Sequence, residues 1–145
     1  MKFTIEQSLE NNDVEITIKC NIIDDRLQHI IDHIRLYSFS VPAQKRGIEL
    51  FVPMQNVFYF ESVDEKSFLY TKDDTYDIQL KLYELEEMLG KTGFVRISKS
   101  CIVNTAYVNH VRSLLNGKFE ATLQNEEKLI VNRHYVPAFK QKFGI

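Results

Sequence analysis

The chain has 145 residues, 44% of them hydrophobic and 26% charged, with a net charge of −2 and no tryptophan. That length holds one ordinary domain and at most a small appendage, with enough apolar side chains for a core without staples, which excludes a disordered tail. No apolar run nears the roughly 18 residues of a spanning helix. The start, Met1-Lys2-Phe3-Thr4-Ile5-Glu6, is too polar for a secretory leader, so a soluble cytoplasmic protein is expected.

Val14, Ile16, Ile18 and Cys20 alternate with polar residues, which predicts a half-buried strand, and Phe3-Thr4-Ile5 can pair with it across Asn11-Asn12-Asp13. Leu27, Ile30, Ile31 and Ile34 then recur at helical spacing behind an N-cap at Asp24 or Asp25, in a helix ending before Pro42. Residues 1–42 thus read as a strand or hairpin plus a helix, too small for its own core, whose apolar face needs either the rest of the chain or a second copy. From Gly47 the signals are mainly β, at 48–52, 57–60, 68–70 and 76–78 across a turn at Asp73-Asp74. Leu82, Leu85 and Leu89 mark a short helix with Glu84, Glu86 and Glu87 outward, closed by Gly90 or Gly93. Strands follow at 94–97, 111–115 and 118–123, the last two joined by Asn116-Gly117, which predicts a type I′ turn. A final strand at 129–131 leads into a helix over 135–143 with Pro137 in its first turn.

Charge is unevenly divided. Residues 1–40 carry 4 basic and 7 acidic groups (−3), 41–93 carry 6 and 10 (−4), and 94–145 carry 8 and 3 (+5). A basic segment in a mildly acidic protein can be a local footprint for phosphate or can balance the acidic helix. No G-x-S-x-G, P-loop or paired-acid motif is present, so an enzyme is not expected. Asp24 and Asp25 read as helix caps rather than phosphoacceptors, and His29 and His33 lack a third ligand for a metal. Cys20 and Cys101 sit alone, without disulfide or zinc spacing, and read as reduced, buried thiols. The strongest cluster is Phe94-Val95-Arg96-Ile97-Ser98-Lys99-Ser100-Cys101-Ile102-Val103-Asn104, where Ser98-Lys99-Ser100 breaks an alternating strand. Hydroxyls around a cation suit phosphate oxygens and guanine O6 or N7, and also suit a polar turn between strands.

Over about residues 43–143 the chain resembles the LytTR family of bacterial DNA-binding domains. The resemblance rests on an ordered set: Val57-Phe58-Tyr59-Phe60-Glu61-Ser62, Leu82-x-x-Leu85-Glu86-x-x-Leu89, Phe94-x-Arg96-x-x-Lys99-Ser100-x-x-Val103-Asn104, Val108-x-x-Val111 and Val131-Asn132-Arg133-x-Tyr135. Ser98 stands where the family often has His, Asn132 where Ser is common, and Lys81 where a Ser or Thr cap is usual. The resemblance implies a mostly β, elongated fold of packed sheets with short helices over 43–145, preceded by the extension at 1–42. It implies loops, rather than a recognition helix, set into successive major grooves at paired repeats. Position by position, the implied contacts are Lys66 and Ser67 in a first loop, Ser98, Lys99 and Ser100 in a second, and Arg133 with His134 in a third. Arg133 is the candidate for a bidentate guanine contact, while Arg96 and Lys99 suit phosphate or mixed contacts, Arg96 alternatively pairing with a carboxylate such as Glu61.

The implied function is a sequence-specific transcriptional regulator bound to double-stranded DNA as a homodimer or two cooperating copies, with no cofactor, metal, membrane or small-molecule substrate, and no room for an N-terminal receiver. The alternative is an interaction or sensing module of the same shape that does not bind DNA and works through residues 1–40.

Overall fold

A computed structural model describes residues 1–145. Helix α1 spans Asp25–Leu36 and is followed by strands β1 (Ser40–Lys45), β2 (Ile48–Pro53), β3 (Tyr59–Val63), β4 (Lys66–Tyr70) and β5 (Thr75–Ile78). Helix α2 (Leu82–Met88) precedes β6 (Phe94–Ser98), β7 (Cys101–Asn104), β8 (Val108–Ser113), β9 (Phe119–Leu123), β10 (Lys128–Val131) and the closing helix α3 (Val136–Phe143). The mostly β expectation holds. No helix is long and apolar enough to cross a membrane.

Seven strands form one antiparallel sheet in the order β2-β1-β5-β4-β3-β7-β6, and β10-β9-β8 form a second. Side chains alternate across a strand, so the large sheet feeds two cores. On one face Phe60, Leu69, Phe94 and Ile102 pack with Leu82, Leu85 and Leu89 of α2 and Leu36 of α1. On the other, Tyr59, Val95, Ile97 and Val103 pack with Ala121, Leu123 and Val131 of the small sheet and Phe139 of α3. The result is a helical layer, the large sheet, then the small sheet with α3.

Three expectations are corrected. Residues 1–24 form neither helix nor strand, and their apolar side chains stay exposed: Val14, Ile16 and Ile18 alternate as a strand should, yet no strand lies beside them. Strand β1 was not anticipated, because Pro42 interrupts it; Val41 and Ala43 nonetheless face the core, and Arg46-Gly47 turn it into β2 with both residues at positive φ. The β8–β9 connection is a three-residue loop, Leu115-Asn116-Gly117, closed by the Leu114 N–H on the Lys118 carbonyl, and only Gly117 has positive φ (75°). A type I′ turn needs it at both central positions.

Helix α1 starts where its cap places it, with the Asp24 carboxylate accepting the Leu27 N–H at 2.8 Å. Its docked face is largely polar: the buried residues are Asp32 and Leu36. Asp32 shares a cleft with His29, His33, Gly93 and Lys142. The Lys142 ammonium donates to the Gly90 carbonyl at 2.9 Å and the Thr92 carbonyl at 2.6 Å, joining α3 to the segment after α2. Burial pushes the Lys142 pKa down, and Asp32 opposes that.

Candidate nucleic-acid interface

Antiparallel pairing brings several chain reversals to one end of the large sheet. β3 and β4 are joined at Asp64-Glu65, where both residues have positive φ (50° and 65°), and β6 returns into β7 through Lys99-Ser100. The Ser62 N–H donates to the Ser100 carbonyl at 2.8 Å, tying the first reversal to the second. The Asn132 N–H donates to the Ile97 carbonyl at 2.9 Å, tying the 3₁₀ turn at Arg133–Tyr135 to the other side of the same turn. The Arg133 stem lies on Gly117, where an added Cβ would stand 3.0 Å from Cδ, so the β8–β9 loop joins the group. Glycine serves there both for its φ and for the close approach.

The residues expected to contact a partner differ in where this leaves them. Lys66, Lys99, Ser100, Arg133 and His134 are exposed on the linked reversals, and Ser98 is half-buried beside them. The Ser98 and Ser100 hydroxyls lie 3.3 Å apart, and Ser98 Oγ accepts the Ser100 N–H at 3.1 Å. His134 meets Tyr135 edge-on, with centroids 5.1 Å apart. Ser67 does not belong to the surface. It is 6% exposed, on the same face of β4 as the fully buried Leu69 two residues on, so the first reversal offers Lys66 alone.

Arg96 pairs with a carboxylate, the second of its two expected roles, but the partner is Glu86 rather than Glu61. Phe94 faces the helical layer and Val95 the small sheet, so Arg96 turns back toward α2. There Nη1 donates to Glu86 Oε2 at 2.8 Å, Nε to the Ser98 carbonyl at 2.7 Å, and Nη2 to the Lys99 carbonyl. Its side chain is 18% exposed. Glu61 lies on the opposite face, where it accepts the Tyr70 O–H at 3.1 Å, which is why the alternative Arg96–Glu61 pair does not form. Arg96 is a brace for the Ser98-Lys99-Ser100 turn.

Sequence reasoning passed over Lys81, whose ammonium donates to the Glu65 carbonyl at 3.0 Å and so anchors the β3–β4 tip to the start of α2. The Lys81 N–H donates in turn to Glu84 Oε1 at 3.2 Å, the half of a capping box that does not need a hydroxyl at the cap. An unusual residue at a cap position was the available signal. Beneath the rim, Tyr59 and Tyr70 stack at 4.2 Å. Burial, and secondarily Glu61, pushes the Tyr70 phenol up to about 12, and burial also raises the Cys101 thiol pKa. Cys20, expected to be buried like Cys101, is exposed. In thiol labelling of the native protein, Cys20 is expected to react at an ordinary rate and Cys101 at least about 100-fold more slowly, since the thiolate is the nucleophile. Comparable rates at both would contradict the buried placement.

The family model for the LytTr DNA-binding domain matches residues 49–144. The chain belongs to the LytTR family. A solved LytTr DNA-binding domain of a methyl-accepting/DNA response regulator from Bacillus cereus superposes with a TM-score of 0.69 at 25% identity, covering 73% of this LytTR chain and 97% of that one. The sensory transduction protein LytT of Enterococcus faecalis is 27% identical over 109 residues, 74% of this chain, which spans only 45% of that relative's length. An HTH-type transcriptional regulator of Staphylococcus aureus is 29% identical over 100% of this chain and 99% of its own length. The HTH label belongs to that relative; in this LytTR chain no two α-helices are consecutive, because five strands separate α1 from α2 and five more separate α2 from α3. The matched family region begins after α1 and β1, at the start of β2.

Proposed function

We propose that the chain is a cytoplasmic transcriptional regulator that binds double-stranded DNA at two short repeats, two copies of the chain setting their linked reversals into successive major grooves. The observation that carries this reading is the pair of backbone hydrogen bonds, Ser62 to Ser100 and Asn132 to Ile97, that hold exposed Lys66, Lys99, Ser100, Arg133 and His134 on neighbouring turns. In it Arg133 reads a guanine through O6 and N7, Lys99 and the hydroxyls of Ser98 and Ser100 hold phosphate or base edges, and Lys66 adds charge. Arg96 positions the central turn without touching DNA.

A salt-titrated mobility-shift assay tests the assignment. Arg133→Ala should cost about 1–3 kcal/mol at the preferred site and relax selection at one base. Lys66→Ala should weaken all sequences alike and lower the salt slope by about 1. Wild-type behaviour in both variants would remove the contact assignment. The exposed apolar residues before and along α1 favour a second reading, an interaction module, which has no obligation to lose affinity as salt rises.

A further inference from the structure

The apolar stripe of α1 is only partly covered by its own protein. With about 3.6 residues per turn, His29, Asp32, His33 and Leu36 share one arc. The docked residues of that arc are Asp32 and Leu36, which are buried; His29 lies by Gly144, and His33 lies by Gly93 but is itself exposed. Leu27, Ile30, Ile31 and Ile34 occupy the opposite arc. Ile30 is 41% exposed and the other three are only half-buried. Just before the helix, Ile22 and Ile23 are exposed as well.

We propose that this stripe is the surface on which a second copy of the chain docks, α1 packing antiparallel on α1 about a two-fold axis. An isologous contact of this kind must be self-complementary. In the antiparallel arrangement Ile30 and Ile31 each meet their own copies beside the two-fold axis, and Leu27 faces the second copy's Ile34, so aliphatic meets aliphatic along the whole stripe. The charges fit as well. Arg35 flanks the stripe near one end, and the antiparallel copy brings the Asp24 carboxylate to that same flank. A membrane surface is the poorer occupant, because residues 1–40 carry 4 basic and 7 acidic groups and anionic lipid would repel them. Four aliphatic side chains per copy make a small interface, with a dissociation constant on the order of micromolar. The proposal rests on the two-copy part of the DNA reading and on none of its loop contacts.

Light scattering or sedimentation of the full chain across about 1–100 μM should show the mass of two chains emerging as concentration rises, in the micromolar range. Ile30→Glu, at an exposed position, should hold the protein at the mass of one chain with an unchanged circular-dichroism spectrum. It should keep binding to a single DNA repeat while losing cooperative binding to two. Because association and folding could fail together, a second readout is needed. In a Cys20→Ser background, Ile30→Cys should cross-link to a dimer on mild oxidation, and Tyr83→Cys on exposed α2 should not. A protein that stays at the mass of one chain throughout, or a dimer insensitive to Ile30→Glu, overturns the proposal; the first result would leave the stripe to a different partner. Loss of DNA binding in the Arg133 variant alongside an unaffected dimer would separate the two readings, as would the converse.

Discussion

Replacing Arg96 with alanine is expected to lower stability by about 2 kcal/mol and to weaken binding to the preferred DNA site by about 10- to 100-fold. The Glu86 carboxylate side chain is 53% exposed, so the ion pair itself is worth under about 1 kcal/mol. The larger part comes from two charge-assisted bonds to the carbonyls of Ser98 and Lys99, which no neighbour can replace once the guanidinium is gone. Glu86→Gln should therefore be nearly silent. Arg96→Lys should behave closer to alanine, because an ammonium cannot span two carbonyls and a carboxylate as a planar fork does. Urea melts and mobility shifts on the three variants check this. A lysine variant with wild-type affinity would show that the turn does not need the fork, and an alanine variant that loses only general, salt-sensitive affinity would return Arg96 to the contact set.

Phe139→Ala should cost about 3–5 kcal/mol, the largest effect of any single change considered, and lower the melting temperature by roughly 10–15 °C. Phe139 is fully buried among Ile97, Val103, Ala121, Leu123 and Val131 and stacks on Phe143 at 5.5 Å. Truncation opens a cavity where α3, the large sheet and the small sheet meet, and the rigid β framework has little freedom to close it. Total stability for a domain of this size is about 5–15 kcal/mol, so the variant should sit near its unfolding threshold. A melting shift of only a degree or two would mean that α3 is peripheral to the fold.

Most of the strands and both later helices could be read from local pattern, because 95–98 alternates and 129–131 is a short apolar run, each bounded by turn residues that name its ends. What stayed hidden depended on which face a residue takes. Ser67 sits two residues before Leu69, and a strict period of two would have sent it inward with that leucine. Arg96 could have been assigned to the α2 side by the same parity, since Phe94 and Arg96 share a face. β1 was masked by Pro42, and the stretch at 14–20 has a strand's pattern with nothing to pair with, which no local signal could disclose. The convergence of Lys66, Lys99 and Arg133 is a product of strand pairing between distant segments, so the chain alone could give it only by likeness to a family.

The backbone bonds from Ser62 to Ser100 and from Asn132 to Ile97 leave the projecting turns unable to shift independently. A grip made in one piece cannot adapt its finger spacing to a straight double helix. The compliance has to come from the nucleic acid, and sequences that curve at low energetic cost would then be favoured even at base pairs no side chain reaches.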